Sequence, residues 1–383
     1  MTRLVILTEI ISPYRIPVFN ALARHFGIDL HVIFLSETDP TRRQWMVYKE
    51  EIQFSYEVLH SWRRRVGRYH ILLNRGLKVA LTKAKPDVLV CGGYNYLASW
   101  HALLWARRKG APYLVWVEST AKDLRGGHNV VELLKARFLN SCSGFIVPGK
   151  ASFRYLQGFG INESRIFTAP NAVDTEFFAF HAELARRNAE HERKSLGLPS
   201  RYFLFAGRLV EGKGIFELIE AYGKLTAGVR SAVSLVFVGG GVSYDALAQR
   251  AAAISPGFVQ LAGFQQREQL AKYYAFAETF VFPTHSDPWG LVVNEAMSCA
   301  LPIICSNVAG CAEDLVSDGW NGRLIPPRDV SQLASAMEEM AREEGLRTTM
   351  ARHSAERIQN CSPEICAEGI ARAAMACKVP AHV

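Results

Sequence analysis

Residues 281–307 read VFPTHSDPWGLVVNEAMSCALPIICSN, and the rest of the chain is organised around them. Apolar Val281-Phe282 closes a strand, and Pro283, Asp287-Pro288 and Gly290 break it. LVVNEAMSCA then carries apolar residues at helical spacing. Asp287 lies just outside a helix starting near Gly290, and Glu295, eight positions on, lies about a turn and a half inside it. Between them the backbone N–H groups of Gly290, Leu291 and Val292 have no partners within the helix. An anion there would meet main-chain donors and the positive end of the helix, with no side chain at Gly290 to hold it off. A plainer account makes Asp287 a capping acid and Glu295 an exposed helical glutamate.

The segments on either side follow the same grammar. LVILTEI, HVIFLS, DVLVCGG, PYLVWVES and GFIVPG read as strands, separated by helices such as VFNALARHF, whose Val18, Phe19, Leu22 and Phe26 share a face. LLNRGLKVALTKAKP reads as a helix, as does YLASWHALLWARRKG, stopped by Gly110. A turn is expected around RGGHN, with a helix from Val131 to Asn140 after it. Residues 36–69, polar and aromatic, read as an excursion near the cleft, and regular alternation is lost from Ile161 to Glu190. From YFLFAG onward, strand and helix alternate again through SLVFVGGG, FVQLAG, PIICSN and GRLIPP. The fold class is therefore α/β with parallel sheets.

The acid, the Pro-aromatic-Gly turn and the later Glu-Ala pair give the run Asp287, Pro288, Trp289, Gly290, Leu291, Val292, Glu295, Ala296 and Met297, followed by Pro302. This run resembles the signature of retaining glycosyltransferases of family 4, the glycosyl transferases of group 1. That family usually has Glu at the first acid, and Asp287 is one methylene shorter, so its sugar contact would be rearranged or bridged by water. TAPNAVDTEFF resembles the family's Pro-Asn-Gly-Val-Asp passage into the second domain, with Ala172 in place of glycine. The resemblance implies the GT-B architecture: two facing Rossmann-like domains with parallel sheets and a C-terminal helix crossing back to the first domain. Residues 1–170 would form the acceptor-side domain, 171–362 the nucleotide-sugar-binding domain, and 363–383 the returning helix.

The resemblance also assigns roles. GRLVEGKG, residues 207–214, follows a strand and precedes a helix, and its Arg208 and Lys213 match the family's diphosphate clamp. The GxxxxGK[ST] spacing fails, so nucleoside triphosphate hydrolysis is disfavoured. Gly207, and Gly240 within the GGG of 239–241, would line the nucleotide, with Phe264 and Gln265 framing its base; tight strand-to-helix turns account for the glycines equally well. The amides of Gly290, Leu291 and Val292 would bind phosphate, Glu295 the ribose hydroxyls, and Asp287 the donor sugar. Arg208, Lys213, Asp287 and Glu118 are the catalytic candidates. Many relatives have His at the end of the strand that here reads LVWVES, where this chain has Glu118; Glu118 would position the acceptor or carry its proton, or is only a helix or turn acid. Tyr14 and Arg15, in a first turn without GxGxxG, either reach the cleft or only shape a helix entry.

No DxD pair stands in a loop, so no metal is required, and the nucleotide diphosphate sugar is a donor substrate rather than a cofactor. The implied work is retaining transfer of a sugar to a hydroxyl of a lipid-linked or polysaccharide acceptor. A nucleotide-sugar epimerase and a non-catalytic nucleotide-sugar-binding protein are the alternatives.

Composition bounds the partners. The 383 residues are 49 % hydrophobic and 21 % charged, enough for two globular domains. Eight cysteines without a CxxC pair read as small buried hydrophobes of a reducing compartment, and a zinc site is disfavoured. The N-terminus reads as a buried strand rather than a signal peptide, and no window reaches the length of a spanning helix. Residues 1–180 carry 24 Lys+Arg against 14 Asp+Glu, and the remainder 20 against 22. The basic excess gathers at Arg63-Arg64-Arg65 with Arg68, and at Arg107-Arg108-Lys109. It reads either as solvated helix faces or as attraction to an anionic membrane surface or a diphosphate-bearing acceptor. Nucleic acid is not expected, because no binding motif accompanies the charge. The expected location is cytoplasmic, either soluble or peripheral on the inner face of the membrane.

Overall fold

The computed structural model describes residues 1–39, 45–66, 69–122 and 129–378. Arg68 and all of the expected RGGHN turn but Asn129 lie outside them. The chain divides into two compact units, one holding Met1–Asn171 together with the segment from Pro363, the other Ala172–Ser362.

In the first unit, β1 (Thr2–Thr8), β2 (Ile28–Phe34), β3 (Ser55–Val58), β6 (Val88–Cys91), β7 (Tyr113–Trp116), β8 (Gly144–Val147) and β9 (Ile166–Thr168) form a parallel sheet in the order β3-β2-β1-β6-β7-β8-β9. A separate antiparallel pair, β4 (Ser61–Val66) and β5 (Tyr69–Asn74), makes a hairpin. Runs such as VLV, YLVW and FIV are buried along their whole length, as strands covered on both faces must be. Val5, Leu7, Ile33, Leu89, Val115 and Phe145 share one core with the helices Leu77–Ala84, Leu97–Lys109 and Asn129–Asn140. The helix Pro363–Cys377 packs on the helix Ile16–Arg24 and on β1, β6, β8 and β9.

In the second unit, β10 (Tyr202–Ala206), β11 (Ser234–Val238), β12 (Val259–Leu261), β13 (Thr279–Phe282), β14 (Ile303–Ser306) and β15 (Gly322–Ile325) form a parallel sheet in the order β12-β11-β10-β13-β14-β15. Both sheets are doubly wound. The chain runs outward from β1 through β2 to β3 and then restarts on the other side at β6; it does the same from β10 to β12 and restarts at β13. The order of travel therefore reverses between β1 and β6, and between β10 and β13. In open parallel sheets ligands bind outside the carboxyl ends of the strands at such a reversal.

Four readings of the sequence change. The stretch 36–69 holds β3, which joins the sheet edge, and all of β4. LLN belongs to β5, and its helix starts only at Leu77. The irregular stretch 161–190 contains β9 and a helix, Thr175–Arg187, opened by Asp174, whose side chain accepts from Phe177 N at 2.9 Å. Phe26 is 98 % exposed, because its helix stops at Arg24 and Phe26 falls in the following turn. All eight cysteines are free; seven are buried and Cys377 is half-buried. No helix of the described residues is long and apolar enough to cross a membrane.

Candidate functional site

In the second unit the two loops at the reversal point carry most of the expected residues. The loop after β10 starts at Gly207, makes a 3-10 turn over Glu211–Lys213 and ends at Gly214 in the left-handed region, φ 71°. A Cβ at Gly214 would fall 2.0 Å from the carbonyl oxygen of Pro283, so only glycine lets this loop lie against the one after β13. The contact is secured by polar groups: the Gly212 carbonyl accepts from His285 N at 3.0 Å and from Thr284 Oγ1 at 3.1 Å. The His285 ring sits 2.9 Å from Glu217 Oε1, on the helix Ile215–Gly223.

This clamp sets Lys213 beside Asp287, and the two form an ion pair. The Lys213 ammonium lies 5.5 Å from the centre of the Phe282 ring. Gly290 adopts φ 102°, and a Cβ there would meet the same ring at 2.7 Å. The ammonium and the start of the helix Leu291–Ser298 are thus gathered around one aromatic side chain. Asp287 accepts from the Trp289 amide at 3.1 Å, within its own turn, and no side chain caps the helix. The first helical amides, from Gly290 on, are therefore not taken up by a capping acid. Behind Gly290 lies the buried Cys311, whose thiol is pushed well up by burial.

Arg208 is exposed, and no hydrogen bond or ion pair engages its guanidinium among the described residues. Its neighbours are held main chain to main chain across the strand ends. Gly207 N donates to the Val238 carbonyl at 2.9 Å, Leu209 N to the Gly240 carbonyl at 2.9 Å, and Gly239 N to the Gly263 carbonyl at 2.8 Å. Phe264 is exposed, and Gln265 turns its amide back to the Ala262 carbonyl at 2.9 Å.

Glu295 is not the exposed helical glutamate of the plainer account. It has no exposed surface, and its Oε2 accepts from the Tyr274 hydroxyl at 2.7 Å. Direct contact with a ribose would require Tyr274 or its surroundings to give way. We expect Glu295→Ala, which takes that acceptor away and leaves a void, to cost about 2–4 kcal/mol of stability. Glu295→Gln, which keeps an acceptor oxygen, should cost less than half as much. Denaturant melts of the two variants check this, and equal losses would contradict it.

In the first unit Glu118 follows β7 and is partly open. Its Oε1 pairs with Arg15, from the turn after β1, and accepts from Asn171 Nδ2 at 3.1 Å. The Arg15 guanidinium lies 3.9 Å from the centre of the Trp116 ring. Tyr14 sits edge-on to Trp45. Nearby, the Tyr94 hydroxyl lies 3.4 Å from Ser119 Oγ, and burial raises its pKa above the usual phenol range. Arg63 gives its guanidinium to Asp39 at 2.5 Å and Glu9 at 3.3 Å, so one member of the arginine cluster is held internally. Sequence reasoning quoted Asn171 only as part of the domain passage; its contact depends on a neighbour 53 positions away, which spacing cannot show. Tyr274, Thr284 and His285 were missed for the same reason. Among the described residues no group of three or more His, Cys, Asp or Glu side chains is placed to hold a metal ion.

Two doubly wound units with charged side chains on their reversal loops define the class of fold, the GT-B type. Residues 187–357 match the family model for glycosyl transferases group 1, and residues 18–177 match that for glycosyltransferase family 4. The chain belongs to this glycosyltransferase family. It is 33 % identical over 157 residues to the putative teichuronic acid biosynthesis glycosyltransferase TuaC of Bacillus subtilis, a match covering 40 % of this chain and only 37 % of TuaC. A D-inositol 3-phosphate glycosyltransferase of Frankia alni is 27 % identical over 314 residues, which is 77 % of this chain and 75 % of that protein. In fold the chain is similar to HepE of Anabaena, crystallised with UDP and glucose, with a TM-score of 0.76 at 16 % identity; the match covers 97 % of this chain and 99 % of that one.

Proposed function

We propose that this chain is a retaining glycosyltransferase that moves a sugar from a nucleoside diphosphate sugar to a hydroxyl of a lipid-linked or polysaccharide acceptor, without needing a divalent metal. The observation that carries the reading is the gathering of Lys213, Asp287 and the Gly290 end of the helix around Phe282. A diphosphate laid there would meet an ammonium and the amides of Gly290, Leu291 and Val292, with Arg208 on the same loop as Lys213. The bond between the anomeric carbon and the β-phosphate oxygen breaks, and negative charge grows on the leaving diphosphate. Cations and helix-end N–H groups already in place stabilise that charge without reorganising. The acceptor oxygen bonds to the anomeric carbon from the face the diphosphate leaves, and its proton passes to the departing phosphate. The products are a nucleoside diphosphate and a glycoside of unchanged anomeric configuration.

In this reading Lys213 exchanges Asp287 for phosphate, and Asp287 turns to the donor sugar. Glu118, with Oε1 fixed by Arg15 and Asn171, offers its other oxygen to the acceptor hydroxyl. Gly207 and Gly240 line the nucleotide, and Glu295 takes the ribose hydroxyls once Tyr274 gives way. The partners are the donor, a lipid-linked or saccharide acceptor and an anionic membrane surface on the cytoplasmic side. The names of the relatives support this: HepE was crystallised with UDP and glucose, and TuaC is named for teichuronic acid biosynthesis.

The test is a panel of nucleoside diphosphate sugars, followed by nucleoside diphosphate release with and without lipid-linked acceptors. We expect release to depend on acceptor, to be unchanged by a chelator, and to give a product with the donor's anomeric configuration. Release without acceptor, accompanied by an epimerised sugar, would replace the reading with an epimerase. Donor binding that never gives product would replace it with a binding protein.

A further inference from the structure

We infer that the outward face of the β4–β5 hairpin is a docking surface for an anionic phospholipid bilayer. This deepens the partner side of the proposed function and rests on that reading only for its purpose. The hairpin is a two-stranded sheet of its own, apart from the seven-stranded one. Its register sets Trp62 opposite Leu73 and Arg64 opposite Ile71, and residues directly opposite share a face. The reverse face is already committed. Leu72 is buried in the core, and Arg63, opposite it, holds Asp39 and Glu9. Asn74 donates to the Leu35 carbonyl at 2.5 Å. The hairpin is thus pinned from beneath by specific contacts.

What it turns outward is apolar. Trp62 is 53 % exposed, Leu73 42 % and Ile71 39 %. A strand face that only meets water carries polar residues at such positions, and a gathered apolar patch marks a partner.

Charge selects the partner. From Ser61 to Gly110 the chain holds eleven Lys and Arg against a single acid, Asp87. That acid is engaged by Lys378 Nζ at 3.0 Å and by the Arg3 amide at 3.0 Å. Arg64 on the apolar face, Arg75 just after it and Lys78 in the next helix are all exposed. An indole and aliphatic side chains interleaved with cations suit the headgroup boundary of an acidic membrane, where each group finds its own layer. A soluble polyanion would satisfy the cations and leave Trp62, Ile71 and Leu73 in water. A second copy of the same face would bring like charges together.

Flotation of the full chain with vesicles tests this, using phosphatidylcholine alone and an equal mixture with phosphatidylglycerol. We expect recovery with the acidic vesicles, none with the neutral ones, and weakening by salt. The double variant Trp62→Ser, Ile71→Ser should bind acidic vesicles at least about ten-fold more weakly. Arg64→Glu with Lys78→Glu should lose more, about 100-fold or beyond. Both should keep the parent's thermal melt and its binding of nucleoside diphosphates. The inference is overturned if the Trp62, Ile71 variant floats like the parent, if the parent ignores acidic vesicles, or if it is retained on dextran sulfate but not on vesicles. Failure to bind any nucleoside diphosphate sugar would instead remove the proposed function and leave the docking surface standing.

Discussion

Lys213→Ala is expected to lower the transfer rate by at least about 100-fold, the cost of removing one fixed donor from a site of growing negative charge. The large effect follows from placement. Lys213 is the only residue of its loop whose side chain reaches Asp287, and its ammonium shares the Phe282 ring with the first turn of the helix Leu291–Ser298. The effect on folding should be smaller, about 1–2 kcal/mol, because Asp287 loses an ion pair yet keeps the Trp289 amide and some access to water. Arg208→Ala separates the two contributions. Its guanidinium engages nothing among the described residues, so its removal should leave the melt unchanged and reduce the rate alone. Lys213→Arg should not restore the parent rate, since a bulkier guanidinium with its donors in a fixed planar fork cannot take the place of the compact ammonium paired with Asp287. Steady-state release of nucleoside diphosphate, measured beside denaturant melts, reads both quantities. Parental turnover in Lys213→Ala would remove Lys213 from the chemistry altogether.

What the sequence disclosed depended on the range of the signal. The strands LVIL, VLV, YLVW and YFLFA were legible because a parallel strand buried on both faces leaves an unbroken apolar run. The helix after Gly290 was legible from breakers followed by apolar spacing, both local. β3 was not, because it is an edge strand of four residues, SYEV, largely open to solvent and without an apolar run. β9 was hidden for a similar reason, with only three residues, IFT. Within the site, the resemblance marked Lys213 for the diphosphate and Asp287 for the donor sugar. Their ion pair, the seat of Glu295 beneath Tyr274 and the grip of Arg15 and Asn171 on Glu118 depend on where the strand ends meet. No spacing within one segment encodes those meetings. The arginine cluster shows the same limit: as sequence, Arg63 and Arg64 look alike, but strand alternation buries one against Asp39 and exposes the other.

The second large effect should come from adding a single methyl group. Gly214→Ala introduces a Cβ that would lie 2.0 Å from the Pro283 carbonyl oxygen and 2.8 Å from its carbon, both backbone atoms that no rotamer can move aside. It also forces an L-residue to φ 71°. The left-handed conformation costs about 1–2 kcal/mol and the overlap about 1–3 more, so we expect a loss of roughly 2–5 kcal/mol. Relief can come only by separating the loop after β10 from the loop after β13. That separation breaks the Thr284 and His285 bonds to Gly212 and carries Lys213 away from Asp287 and Phe282. Activity should therefore fall at least as far as in Lys213→Ala, even at a temperature where the variant remains folded. Gly212→Ala is the matched control: two residues earlier in the same turn, a Cβ would meet nothing within 4 Å, and neither stability nor rate should change appreciably. If Gly214→Ala melts and turns over like Gly212→Ala, the close seating of the two loops does not set the position of Lys213. If Gly214→Ala is unstable but fully active while folded, the ammonium's place beside Asp287 is not what the reaction uses.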